Sequence, residues 1–153
     1  MRVALLLLLM CVCGAPPASA QSSDDTWEFG LGPHIVRRED STTHHGGGIT
    51  VARRYQSLTA VLEASGTRRH GHNDWRVVVG PRVMLGTTPL FAQLLGGTLI
   101  RSNKANWAVL PGGGVDVRWT SSAAVRFQID ALVERSDGRT ASSARASVWL
   151  VFR

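Results

Sequence analysis

The sequence predicts an all-β chain, an eight-stranded antiparallel up-and-down transmembrane β-barrel behind a cleaved signal peptide. Three observations carry that expectation. The 153-residue chain opens with Met1–Ala20, where a lone Arg2 precedes an apolar run from Val3 to Cys13 and a small-x-small site at Ala18-Ser19-Ala20, the layout of a secretory leader. Behind it, apolar residues recur with period two in one stretch after another, which marks strands rather than helices. The stretches number eight, and each exceeds the 5–6 residues usual in globular sheets, matching the about 9–11 that a tilted strand needs to cross a bilayer.

The leader, 1–20, is expected to be removed, leaving 133 residues (21–153) with a net charge of +5, a length suited to one barrel domain. Cys11 and Cys13 leave with it. The mature chain then has no disulfide framework, thiolate metal site or thiol nucleophile. The leader's apolar run is too short for a spanning helix, and no 18-residue apolar stretch follows it.

In chain order, the first strand is expected over 26–38, with Trp27, Phe29, Leu31, Pro33 and Ile35 opposing Glu28, Gly30, Gly32 and His34. The second, 46–54, has an ambiguous period, since Ile49 and Val51 share one side and Thr50 and Ala52 the other. The third, 57–67, and the fifth, 89–101, alternate more weakly. The fourth, 75–85, sets Trp75, Val77, Val79, Pro81, Val83 and Leu85 against Arg76, Val78, Gly80, Arg82 and Met84. The sixth, 106–119, runs from Trp107 to Trp119 on one side, with Ala108, Leu110, Gly112, Gly114, Asp116 and Arg118 on the other. The seventh, 122–134, opposes Val125, Phe127, Ile129, Ala131 and Val133 to Arg126, Gln128, Asp130, Leu132 and Glu134. The eighth, 142–153, opposes Ala144, Ala146, Val148, Leu150 and Phe152 to Arg145, Ser147, Trp149, Val151 and Arg153, which leaves Trp149 on the charged side.

Short turns are expected at Tyr55-Gln56, Gly86-Thr87-Thr88 and Thr120-Ser121, and longer polar loops at Glu39–His45, Arg68–Asp74, Ser102–Ala105 and Arg135–Ala141. Strict alternation of the two kinds would give one rim tight periplasmic turns and the other extracellular loops. An even strand count puts both chain ends on the short-turn rim and lets the first and last strands pair, leaving no open edge.

Alternation alone does not say which side is inside, but the charges do. Glu28, Glu63, Arg76, Arg82, Asp116, Arg118, Arg126, Asp130 and Arg145 lie along the strands among glycines. An eight-stranded barrel has an interior just wide enough to be filled by side chains, where such residues could pair. Facing lipid, each Arg at the midplane would cost about 2–4 kcal/mol. These nine are therefore expected to form a lumen charge network. Trp107 and Trp119, twelve residues apart on one side, are separated by roughly 40 Å along a strand. Tilted by about 45°, they would stand near 28 Å apart, the spacing of two aromatic girdles to which Trp27 and Trp75 also belong.

The residues suggest little chemistry. His44-His45 and His70-Gly71-His72 stand at no characteristic metal-ligand spacing, so no metal or other cofactor is expected. Gly46-Gly47-Gly48 and Gly112-Gly113-Gly114 lack the Lys-Ser/Thr and the helix of a phosphate loop, and read as strand glycines at tight curvature. No histidine follows His72, so a serine hydrolase of the lipid-deacylating kind lacks a base in the last four strands. No catalytic residues are expected. Basic residues gather toward the long-loop rim (Arg37, Arg38, Arg68, Arg69, Arg101, Lys104, Arg135, Arg139). In an exported chain they suit either ordinary solvated loops or attraction to lipopolysaccharide phosphates, rather than nucleic acid.

The leader, the eight alternating strands, the segment Pro111–Arg118 and the closing Ser147–Arg153 resemble the small outer-membrane β-barrel domain family, of OmpA and OmpX size. The family's usual terminal aromatic corresponds to Phe152, which is penultimate here, before Arg153. The resemblance implies a non-enzymatic barrel in a bacterial outer membrane, surrounded by its lipids and inserted by the barrel-assembly machinery. The competing expectation is a secreted soluble barrel, lipocalin-like, enclosing a small apolar ligand.

Overall fold

The computed structural model describes residues 26–69, 72–102, 104–136 and 139–153; the leader and both cysteines lie outside the described residues. Eight strands follow one another: β1 Thr26–Arg38, β2 Thr43–Tyr55, β3 Leu58–Arg69, β4 His72–Met84, β5 Leu90–Arg101, β6 Lys104–Arg118, β7 Ala123–Ser136 and β8 Arg139–Phe152. Each pairs antiparallel with its sequence neighbour, and β1 pairs with β8 to close the barrel. Following paired residues once round, from Thr26 through Arg54, Thr59, Arg82, Gln93, Gly112, Asp130 and Arg145, returns to Val36, ten residues further along β1. In eight strands, that stagger tilts each one by roughly 40°.

The expected long loops are absent from the described residues. The connection Glu39–Thr42 is the longest on the rim away from the chain ends. There β3 and β4, β5 and β6, and β7 and β8 approach to within two residues of each other. The terminal rim carries the larger turns at Leu85–Pro89 and Trp119–Ser122, besides Gln56-Ser57. The long-and-short alternation is thus overturned. Polar residues such as His44, Asp74 and Glu134 continue the ladder because backbone pairing does not require an apolar side chain once the strand has left the hydrocarbon. The terminal-rim turns use conformations of positive φ, at Gln56 (58°) and Gly86 (64°), as tight connections between twisted strands require.

Three outward-facing prolines interrupt the ladder. Pairing skips Gly32-Pro33 against β8, Gly80-Pro81 against β5 and Leu110-Pro111 against β7, since proline has no N–H to give. At the first two gaps the inward-facing residue is glycine, and a Cβ there would overlap the backbone carbonyl of Val148 or Leu94. The sequence Gly-Pro therefore allows the neighbouring strand to lean inward where the hydrogen bond is missing.

Candidate functional site

Two surfaces result from the alternation, an enclosed lumen and an outer wall. The wall is apolar: Phe29, Leu31, Ile49, Leu62, Val77, Val79, Leu94, Phe127, Ile129 and Val148 are all exposed. Between the levels of the two aromatic belts every outward position is occupied by an apolar residue, Gly or Pro. Trp27 and Tyr55 mark one belt with Trp119, at the terminal rim; Trp75 and Trp107, near the starts of β4 and β6, mark the other. Arg53 also faces outward and lies over both Trp27 and Tyr55, 5.3 and 5.0 Å from the ring centres, where a long stem can keep its charge at the interface.

The lumen is filled. Toward the terminal rim, Glu28 accepts from Arg54 Nη2 (2.9 Å), Arg153 Nε (2.9 Å) and Arg126 Nη2 (3.0 Å). Arg126 also grips Asp116 with two nitrogens, at 2.6 and 2.8 Å, the bidentate form that gives a charge-assisted bond its direction. Phe91 lies between Arg82 and Arg126, at 4.9 and 5.3 Å.

Deeper in, Arg82 donates to Gln93 Oε1 (3.2 Å from both Nε and Nη2), and Gln93 Nε2 donates to Asp130 (3.0 Å). Asp130 also accepts from Gln128 (2.9 Å) and from Arg145 Nε and Nη2 (2.9 and 2.6 Å), while Arg145 turns its other edge to Glu63. Arg145 is 0% exposed. Above this chain, Arg76 donates to Thr67 Oγ1 (2.5 Å) and stands 3.3 Å from His34 Nε2. At the mouth, Arg101 bonds Asp74 and Glu134, and Arg38 bonds Glu134 at 2.6 Å. A cavity of about 20 Å³ lies beneath these pairs, room for one water.

Of the nine charges expected inside, the structure places Glu28, Glu63, Arg76, Arg82, Asp116, Arg126, Asp130 and Arg145 in the lumen. Arg118 is the exception and corrects the assignment. It has the inward parity but ends a 15-residue strand, and its side chain is exposed at the terminal rim. Arg118→Ala should therefore change unfolding free energy by no more than about 0.5 kcal/mol, as for other surface positions; a denaturant titration in micelles measures it.

Several lumen residues were not anticipated. Asp74 belongs to a stretch expected as a loop, and Arg38 and Arg101 were expected toward the loop rim, yet their parity continues that of Glu28, Arg76 and Arg126; Glu134 continues the polar series expected for the seventh strand. Arg54 and Arg153 have the same parity at the other end. Trp149 is 1% exposed and donates Nε1–H to Ser147 Oγ at 2.9 Å; it is lumen filler. An apolar layer of Val61, Val78, Leu95, Leu99, Leu110 and Leu132 fills the remainder. Glycine opposite the larger side chains makes room for them: a Cβ at Gly46 would overlap the His34 ring, and one at Gly112 the Asp130 carboxylate.

His44 and His45 cannot meet, because consecutive strand residues face opposite ways: His44 is buried inward and His45 exposed. His72 is exposed at the start of β4, and His70 lies outside the described residues. Among the described residues no three His, Cys, Asp or Glu side chains form a group able to hold a metal.

No family model and no curated protein sequence matches the chain. Solved structures do. A de novo designed transmembrane β-barrel superposes with a TM-score of 0.55 at 12% identity, over 88% of this chain and 98% of the design. Neisserial surface protein A superposes with a TM-score of 0.55 at 7% identity, over 82% of this chain and 94% of its own. At such identities the likeness is one of fold, the closed eight-stranded barrel of transmembrane proteins.

Proposed function

We propose that the chain is an exported integral protein of the bacterial outer membrane, with a structural or surface-interaction role and no enzymatic activity. One observation carries the reading. Charge is confined to the lumen and the rims, while an uninterrupted apolar wall lies between two aromatic belts, the arrangement required where hydrocarbon replaces water outside. A soluble lipocalin-like barrel would need the opposite, with valines inside and arginines outside. Burial of Arg82, Asp116, Arg126 and Asp130 together with exposure of Phe127 and Ile129 runs against it.

The packed interior opposes bulk diffusion, because eight strands filled by Arg-carboxylate pairs leave no aqueous path. At the rim away from the chain ends, Arg37, Arg68 and Arg135 are exposed and have the outward parity. That placement suits contact with the phosphates of lipopolysaccharide, as charge-assisted bonds to guanidinium. Residues 1–20 supply the export signal, and the barrel-assembly machinery the insertion step.

The test is fractionation of cells expressing the full chain. The mature barrel should pellet with membranes, resist carbonate extraction, and migrate differently on gels before and after boiling. Recovery as a monodisperse soluble periplasmic protein would overturn the reading in favour of the soluble barrel.

A further inference from the structure

The outer wall is not uniform at the upper belt. A depression of about 370 Å³ opens there, lined by Thr98 of β5, Ala105, Asn106 and Trp107 of β6 and Arg135 of β7. Thr98 and Trp107 are paired across the ladder. Thr98, Trp107 and Arg135 are exposed; Asn106 pairs with the buried Leu99 and has the inward parity. Among the described residues, Arg135 has no ion-pair partner, in contrast to Arg38 and Arg101 at the same end, both of which turn inward onto Glu134.

The lining is chemically mixed in a particular way. An exposed indole offers a flat apolar face of the kind on which a pyranose C–H surface rests. The Thr98 hydroxyl beside it matches sugar hydroxyls in both donor and acceptor capacity. The guanidinium adds a bidentate fork for a phosphate. Below the depression the wall continues as Gly96 and Val109, paired with each other. A side chain at Gly96 would meet no atom within 4 Å, so a shallow apolar lane descends from the polar seat toward the midplane.

We propose that this depression seats the phosphorylated saccharide headgroup of a glycolipid, with Arg135 on the phosphate, Trp107 against a sugar ring, Thr98 on its hydroxyls, and an acyl chain over Gly96. The proposal deepens the reading of the chain as a membrane barrel and rests on it. It commits to a glycolipid because a phosphate alone would use only Arg135 of the three side chains.

Native mass spectrometry of the detergent-solubilised barrel tests it with three probes: diphosphoryl lipid A, phosphatidylglycerol, and a neutral galactolipid. Lipid A should be retained about tenfold more than either of the others, each of which offers only half of the recognised chemistry. Arg135→Gln and Trp107→Ala should each lower lipid A retention about tenfold, whereas Trp107→Phe should retain most of it. Arg118→Gln, exposed at the opposite rim and outside the depression, should leave retention unchanged. Heat-modifiable migration, measured on every variant, confirms that the barrel is folded. Equal retention of phosphatidylglycerol, or indifference to Arg135→Gln in a folded barrel, would overturn the assignment. A chain that fails to enter membranes at all would instead overturn the broader reading.

Discussion

Arg145→Met should destabilise the barrel by on the order of 3–5 kcal/mol, the usual consequence of leaving buried charge without its partner. Arg145 joins Asp130 to Glu63 from a position with no solvent access. Its removal strands two carboxylates in a lumen where Gln128 and Gln93 supply only neutral donors to Asp130. The loss should be largely restored when Glu63→Gln and Asp130→Asn are added, because a neutral set of similar shape carries no desolvation penalty. Equilibrium unfolding in urea with the barrel in lipid vesicles measures all of these variants. A triple variant no more stable than Arg145→Met would mean that the arginine acts through packing volume rather than charge.

Ile129→Arg should abolish assembly into membranes or lower stability by about 2–4 kcal/mol. Ile129 is 68% exposed on the outer wall of β7, one position from Asp130, which is buried on the other side. The same chain thus supplies a control: Asp130→Asn changes the inner side only, and should fold into vesicles while losing part of the Arg145 interaction. Folding yield into vesicles, read from the faster-migrating unboiled band, separates the two. Equal yields for Ile129→Arg and the unaltered chain would place Ile129 away from lipid and reverse the assignment of the faces.

The faces were legible because the period of two is cleanest where lipid imposes it. In β1, β4, β6, β7 and β8 every second residue across the hydrocarbon must be apolar, so Trp27 to Ile35 and Val125 to Val133 announce the wall. The rims were not legible for the converse reason. Beyond the hydrocarbon no apolar demand remains, so Thr43-His44-His45 and Asn73-Asp74 read as loop although their backbones pair. Parity alone could have placed Arg38, Asp74 and Arg101, since each continues its strand's inward series, as Glu134 does in the seventh; polarity concealed it. The lumen leucines were hidden differently. Leu95, Leu110 and Leu132 share the inward parity with charges, and a period-two pattern assigns a side without saying what occupies it. Which Arg meets which carboxylate depends on the ten-residue stagger around the barrel, a property of all eight registers together.

The closeness of the strand ends at the rim away from the termini bears on how the protein is met from outside. A barrel with long lobes offers water-borne macromolecules something to grasp. This one offers an almost level parapet, broken mainly by the Glu39–Thr42 turn. Among the described residues, a protease finds the four of Glu39–Thr42 as the longest unpaired stretch there to thread into its cleft. Encounters that matter would then take place sideways, within the plane of the surrounding lipid.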